Sequence, residues 1–181
     1  DSINLLEVSK KGMYWERNYC IITIFLNCGL RLSELCNINI EDIRSDKSIC
    51  VHGKGDKDRI IFLNGSCITA INRWLEARKK IKLKDPDEPA LFVSNRGVRI
   101  SKKTVQGIVK DRLKEIGFDD YSTHKLRHTC ATLMYQYGDT DLLTIKEVLG
   151  HASITTTQIY THLGDEKVRM AIERNPLNGL E

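Results

Sequence analysis

The stretch SICVHGKGDKDRIIFL, from Ser48 to Leu63, decides the fold class because it carries the clearest strand pattern in the chain. Two runs rich in β-branched and apolar residues flank a polar, glycine-containing loop, which is typical of a β-hairpin. Lys54 lies at the predicted turn. Since the segments on both sides have apolar residues at helical spacing, we predict a mainly α protein with a small antiparallel β-sheet, an α+β fold.

Two helices are predicted before the hairpin. The first runs from Met13 to Asn27, and Gly29 can end it in the left-handed conformation. The second is a short helix within LRLSELCNINIEDI, residues 30–43, with Ser33 near its start.

A longer series of helices is predicted after the hairpin. The first is capped by Ser66 and ends near Ile81, and the second is capped by Ser101 and closed by Gly117. The third is capped by Thr123 and covers 124–138, and the fourth is opened by Asp141 and ended by Gly150. A helix over 154–161 and a short amphipathic piece after Gly164 complete the series. Residues 90–93 are predicted to be extended. We expect residues 1–164 to form one domain and residues 165–181 a C-terminal tail.

Composition limits the classes of protein to which the chain can belong. A chain of 181 residues with 41% apolar content can bury one core. The net charge of +4 says little by itself. However, residues 96–114 contain seven Lys or Arg side chains and one Asp, an excess that suits a polyanion or a solvated helix face. The six cysteines form no CxxC pair, which favours a reduced, intracellular protein over a zinc ribbon or a disulfide framework.

Two histidines and an arginine near one helix start form the first candidate site. His124 and Arg127 are three residues apart, and a helix N-terminus suits an anion such as phosphate. Taken alone, this pair is more typical of a surface that caps or solvates the helix. His128 gives the spacing of a metal pair with His124, but the sequence offers no obvious third ligand, which disfavours a zinc site.

The full ordered set of polar residues is much more specific. It consists of Arg31 in GLRLSEL, Lys54 in GKGDKDR, His124 and Arg127 in HKLRH, and His151 and Tyr160 in LGHASITTTQIY. In this order and context the chain resembles the tyrosine recombinase (phage integrase) family over nearly its whole length.

The resemblance implies a site-specific recombinase that cleaves and rejoins DNA. Tyr160 would attack the scissile phosphate, form a 3′-phosphotyrosyl bond and release a 5′-hydroxyl. The covalent link keeps the bond energy, so no ATP, metal or other cofactor is implied. Strands would be exchanged through a Holliday junction.

The resemblance also gives the other residues their roles. Arg31 and Arg127 would hold the phosphate oxygens, because a guanidinium fork matches phosphate geometry. Lys54 would protonate the leaving 5′-oxygen, and His151 would hydrogen-bond the phosphate. His124 would act as base or proton relay, as imidazole exchanges protons near neutral pH. Glu34 would support the site.

Alternatives stay open for several of these residues. Lys57 shares the basic turn with Lys54 and could be the acid instead, and Glu34 could be part of an ordinary polar helix face. The rival tyrosines Tyr14, Tyr135 and Tyr137 lie in or beside apolar helix stripes, for which a core position is the better interpretation.

The resemblance further implies the partners. We expect a monomer when free and a homotetramer on double-stranded DNA recombination sites, in the cytoplasm of a bacterium or encoded by a phage or mobile element. The tail could contact a neighbouring subunit or fold back on its own domain. The N-terminal core-binding domain typical of the family is expected to be absent from this chain.

Three other classes of protein share part of this pattern. A helix-turn-helix module would bind DNA without a covalent adduct. A type IB topoisomerase shares the chemistry but relaxes supercoils, and the compact motifs resemble recombinases more. A metal-dependent nuclease is disfavoured because no carboxylate cluster is evident in the sequence.

Overall fold

The computed structural model describes residues 1–52, 58–137, 140–149 and 165–179. The α-helices of these ranges are α1 (Ser2–Ser9), α2 (Trp15–Cys28), α3 (Leu32–Asn37), α4 (Gly65–Arg78), α5 (Lys102–Glu115), α6 (Thr123–Tyr137), α7 (Leu142–Leu149) and α8 (Asp165–Glu173). The strands are β1 (Ser48–Val51) and β2 (Arg59–Phe62). The predicted fold class, mainly α with a small antiparallel sheet, is confirmed.

Helix α2 forms the centre of the core. Every residue from Cys20 to Cys28 is buried, because α1, α4, α5 and α6 pack around it. The helix ends where the sequence predicts: Gly29 is left-handed, with φ of 59°, and its N–H donates to the Phe25 carbonyl. None of the helices in the described ranges is long and apolar enough to span a bilayer.

The predicted hairpin is present, and its register separates two faces. Val51 pairs with Arg59 and Ile49 with Ile61, so these four residues share one face, and the apolar members of the set are buried. Cys50 pairs with Ile60 on the opposite face. Residues 53–57, which include Lys54 and Lys57, lie outside the described ranges.

The start of α4 differs from the prediction. The segment 30–43 divides into α3, with Arg31 at its N-cap and Ser33 near its start as predicted, and a 3₁₀ turn (Ile40–Asp42). In α4 the cap is Asn64, whose side chain accepts from the Cys67 N–H at 3.1 Å, while the Ser66 hydroxyl donates to the Leu177 carbonyl at 3.0 Å. Ser66 is therefore not the cap, because the helix begins earlier than predicted and Ser66 lies in its first turn.

The starts of α5 and α7 follow the sequence, whereas Thr123, predicted as a cap, is the first residue of α6. Ser101 accepts from the Thr104 N–H at 3.1 Å, and Asp141 accepts from the N–H groups of Leu143 and Thr144 at 2.9 Å each. Helix α1 has no counterpart in the sequence-based prediction, and its Leu5 and Leu6 are buried in the main core. The helix predicted over 154–161 lies outside the described residues.

The C-terminal segment packs on its own chain. Ile172 is fully buried and Leu177 is 3% exposed. The Asn64 side chain donates to the Ile172 carbonyl at 3.1 Å, and the Asn175 side chain donates to the Leu26 carbonyl at 2.9 Å. The structure therefore has the fold-back arrangement, and contact of this segment with a second subunit stays a prediction.

This docking predicts a stability difference along α8. Ile172→Ala should lower the free energy of unfolding by about 2–4 kcal/mol, because it leaves a cavity in the core. Met170→Ala on the same helix should cost less than about 0.5 kcal/mol, since Met170 is 45% exposed. Urea denaturation at micromolar protein concentration measures both values. Equal stability of Ile172→Ala and wild type would contradict the docking of α8 on its own chain.

Candidate active site

The turn between α2 and α3 requires glycine. Gly29 has a positive φ, and a Cβ atom placed on it would lie 2.5 Å from Cδ2 of Leu149 and 3.3 Å from Sγ of Cys130. A side chain here would be strained by the positive φ and would displace the end of the Leu149 side chain. The close approach places the Gly29 carbonyl, at the C-terminus of α2, in reach of α6.

The side chain of Arg127, on α6, reaches the Gly29 carbonyl. This side chain is buried, with the residue only 5% exposed, and Nη1 donates to the Gly29 carbonyl at 2.6 Å. Nη2 donates to the carbonyl of Leu149, the last residue of α7. Because helix C-terminal carbonyls carry partial negative charge, both contacts favour the cation. The interpretation of Arg127 as a surface residue beside His124 is therefore wrong, since the guanidinium joins the ends of two helices.

The charge of Arg127 survives this burial. Burial and the nearby Arg31 guanidinium lower the pKa of Arg127 to about 10, whereas Glu34 opposes that change. The side chain remains positively charged at neutral pH. The influence of Arg31 also shows that the two predicted phosphate-binding arginines lie in one electrostatic neighbourhood.

Arg31 and Arg59 converge on one carboxylate. Glu34 is 4% exposed, and its Oε1 accepts from Arg31 Nη1 at 2.7 Å while its Oε2 accepts from the Arg31 backbone N–H at 2.6 Å. Both terminal nitrogens of Arg59 also donate to Glu34, one of them to Oε2 at 2.9 Å. Glu34 thus orients two arginines and is not part of an ordinary polar helix face.

Arg59 is the residue of this cluster that the sequence analysis missed. It lies in the quoted motif GKGDKDR, directly after the predicted loop. The signal available was strand alternation, because a residue paired with Val51 must point to the core side of the hairpin. A charged residue on that side needs a buried partner, which Glu34 provides.

Glu34 links stability to pH. Burial by itself raises the pKa of Glu34, but the hydrogen bonds from Arg59 and Arg31 outweigh it, so the pKa is lowered overall from its ordinary 4.5. A carboxylate with a lowered pKa stabilises the fold above its unfolded-state pKa, and that contribution is lost as pH falls through the folded-state value.

Glu34→Gln should therefore lower the free energy of unfolding at pH 7 by about 1–3 kcal/mol, because charged hydrogen bonds are lost. The difference from wild type should shrink as the pH falls below about 4, since wild type then loses the same charge. Thermal unfolding at pH 7 and at pH ~3 measures it. Glu76→Gln, which removes an exposed ion pair with Lys79, is the control and should have little effect at either pH. A difference that stays constant with pH would overturn this account of Glu34.

His124 differs from the neighbouring Arg127 in its exposure to solvent. It is exposed on α6, and its Nε2 is 3.2 Å from Nε2 of His128, with the two rings edge to face. His124 and Arg127 are three residues apart and so neighbours on the helix, but Arg127 is buried whereas His124 is exposed. His124 is therefore open to a ligand that approaches from outside.

The remaining predicted residues, Lys54, His151 and Tyr160, lie outside the described ranges. In the sequence, His151 follows Leu149 by two residues, and the Leu149 carbonyl is bound by Arg127. The rival tyrosines Tyr135 and Tyr137 are 57% and 65% exposed, so the interpretation of both as core residues is wrong.

The basic residues of 96–114 divide into two groups. Lys102, Lys103, Lys110 and Lys114 on α5 are exposed, as predicted for a solvent-facing or partner-facing surface. Arg99 instead donates to the carbonyls of Cys36 and Ile38, at 3.2 Å and 3.4 Å. Arg96 is also exposed, so the outward-facing charge of this stretch comes from the four lysines and Arg96.

The chain has similar known proteins. The model of the phage integrase family matches residues 3–167. The chain is similar to "Tyrosine recombinase XerC" of Caldanaerobacter subterraneus subsp. tengcongensis, with 53% identity across 96% of this chain and 50% of that protein. The chain thus spans about half the length of this curated relative.

Two solved structures share the fold. A crystal structure of XerA recombinase superposes on the chain with a TM-score of 0.72 and 37% identity, over 93% of this chain and 60% of that one. XerH site-specific recombinase bound to difH substrate, in a pre-cleavage complex, has a TM-score of 0.71 and 30% identity over 88% of this chain and 47% of that one. With its hairpin, its buried Arg127 and a family match over most of its length, the chain belongs to the phage integrase family.

Proposed function

We propose that the protein is a site-specific tyrosine recombinase that cleaves and rejoins DNA through a covalent 3′-phosphotyrosyl intermediate. The observation that carries this proposal is the fixed position of Arg127, held by the Gly29 and Leu149 carbonyls. A donor set fixed before the reaction stabilises charge on a phosphate without reorganising, which is the main way enzymes lower such barriers.

The charge balance of the cluster suits this role. Arg31 and Arg59 donate to the Glu34 carboxylate, and Arg127 is near enough for Glu34 to affect its pKa. Among the described residues of this cluster, three guanidiniums therefore accompany one carboxylate, so positive charge remains for an anion. The Arg31 side chain is 43% exposed, which leaves it accessible to a phosphate from outside. Glu34 would hold Arg31 in place, and Arg127 would contact the same phosphate.

The other roles are proposals of the same mechanism. Tyr160 would supply the nucleophile, His124 would take its proton, Lys54 would protonate the leaving 5′-oxygen, and His151 would hydrogen-bond the phosphate. A phenolate can leave again, so the 5′-hydroxyl of a second strand can reverse the step and complete the exchange. The bond energy is conserved throughout.

DNA recombination sites are the proposed substrate and partner. The similar XerH structure holds its difH substrate, and the exposed lysines of α5 provide phosphate contacts whose strength falls with salt. We propose that the protein acts as a homotetramer on two duplexes and is a monomer when free. We also propose a cytoplasmic location, which fits a bacterial relative and six free thiols.

A nicked duplex tests the proposal. A DNA site is first selected from a randomised pool by binding to the protein, and is then nicked beside its centre so that the cleaved strand loses its 5′-hydroxyl fragment. We expect an adduct that survives denaturation, formed in EDTA at low salt. DNA binding without any adduct would favour a DNA-binding module. Adduct formation by a protein that relaxes supercoiled plasmids but never joins two sites would favour a topoisomerase.

A further inference from the structure

The outer face of the hairpin carries a cluster of side chains that can bind a metal. Cys50 and His52 lie two residues apart, so strand alternation places them on one face, opposite Arg59 and Val51. Asp58 lies across from His52, one residue beyond the Val51–Arg59 pair. One ligand atom from each of Cys50, His52 and Asp58 lies within 4.8 Å of the other two.

His52 is oriented from two sides. Its Nδ1 lies 2.9 Å from Oδ1 of Asp58, and its Nε2 lies 3.2 Å from Oδ1 of Asp42. Asp42 is only 8% exposed, and its second oxygen accepts from the Asn39 N–H at 2.7 Å. Metal-binding histidines characteristically direct their other ring nitrogen to such a fixed carboxylate, which sets the tautomer and the ring plane.

We propose that this face of the hairpin binds a zinc ion through Cys50 Sγ, His52 Nδ1 and the Asp58 carboxylate, with water in the fourth position. The Nε2–H of His52 would keep its hydrogen bond to Asp42. A thiolate, an imidazole and one carboxylate suit zinc, whereas magnesium and calcium prefer oxygen ligands.

The geometry needs only small movements. Ligand atoms of a tetrahedral zinc with these donors lie about 3.3–3.6 Å apart, given the usual bond lengths. The side chains of His52 and Asp58 are 54% and 48% exposed, so they can rotate toward the half-buried Cys50. An ion here would join the ends of β1 and β2.

Two other groups in the described ranges could compete for a metal. His124 and His128 bring two imidazoles to 3.2 Å on α6, but they offer no thiolate. Cys28 and Cys67 bring two buried thiols to 3.7 Å between α2 and α4. Each of the three candidate metal sites would be lost through a different substitution, so mutagenesis can distinguish them.

Cobalt titration in the absence of DNA tests the proposal. We expect one equivalent to give a thiolate-to-cobalt charge-transfer band in wild type, and zinc to remove the band by displacement. Cys50→Ser and Asp58→Asn should lose the site, and Asp42→Asn should weaken the affinity about 10–100-fold. His128→Gln and Cys67→Ala are the controls and should keep the band.

Unfolding temperatures give a second readout, because an ion bound only by the folded state raises them. Zinc should raise the unfolding temperature of wild type and of His128→Gln but not that of Cys50→Ser. Each variant is first measured in EDTA to establish its own folded baseline. No band in wild type, a band that persists in Cys50→Ser, or a band lost in Cys67→Ala but kept in Cys50→Ser would overturn the assignment.

Discussion

Tyr160→Phe should abolish the covalent protein–DNA adduct while DNA binding stays close to that of wild type. Phenylalanine keeps the ring but lacks the oxygen that would attack the phosphate, so no bond can form. Loss of a nucleophile in comparable covalent mechanisms lowers the rate by at least about 10⁴-fold. The measurement is the fraction of nicked duplex converted to adduct on a denaturing gel, at protein concentrations that saturate the DNA.

Tyr135→Phe and Tyr137→Phe are the matched controls. Both tyrosines are more than half exposed, so neither substitution disturbs the core. We expect each control to form adduct at the wild-type rate. Adduct formation by Tyr160→Phe, or its loss in either control, would show that the nucleophile has been assigned to the wrong residue.

Arg127→Lys should reduce cleavage by about 10²–10³-fold at saturating protein, a loss typical of removing one fixed donor from a reacting oxyanion. A lysine places one ammonium where the guanidinium served two carbonyls and the phosphate. It can reach the Gly29 carbonyl or the Leu149 carbonyl, but not both with the same geometry. The single-turnover rate of adduct formation measures the loss.

The same substitution should also lower the free energy of unfolding by about 1–3 kcal/mol, because a buried carbonyl loses its charged donor. Cleavage is therefore measured well below the unfolding temperature of the variant. Arg112→Lys is the control, since Arg112 is a partly buried arginine that donates to the Val8 carbonyl at 3.3 Å, away from the cluster. Wild-type cleavage by Arg127→Lys would exclude Arg127 from phosphate binding.

Local signals account for the features that the sequence predicted well. The hairpin depends on strand alternation around a polar loop, and the end of α2 depends on Gly29, for which the left-handed conformation costs little. Ser101 caps α5 through its own third neighbour, Thr104. Each of these interactions joins residues close in the chain, so pattern and spacing are sufficient to find it.

Features that depend on distant partners were missed. Asn64 rather than Ser66 caps α4, and the Ser66 hydroxyl donates to Leu177, 111 residues away, a contact that no local rule predicts. The burial of Arg127 depends on carbonyls of Gly29 and Leu149, which carry no side-chain signal. Backbone groups are present at every position, so only the packing of α2, α6 and α7 reveals which carbonyls form the site.

The cluster around Glu34 lies between these two cases. The motif resemblance pointed to Glu34 and Arg31, and their contact is local because they are three residues apart. Arg59 joins them from the hairpin, 25 residues away from Glu34. The resemblance could name the family positions, but it could not show that one carboxylate holds two arginines.

Peptide mapping of the adduct tests the central claim most directly. Trypsin should release Tyr160 on the peptide from Glu147 to Lys167, in which it is the sole tyrosine, whereas Tyr135 and Tyr137 fall on the peptide from His128 to Lys146. The account predicts DNA attached to the first peptide through a 3′-phosphate, with a free 5′-hydroxyl on the released strand. DNA attached to any other peptide, or through a 5′-phosphate, would contradict it.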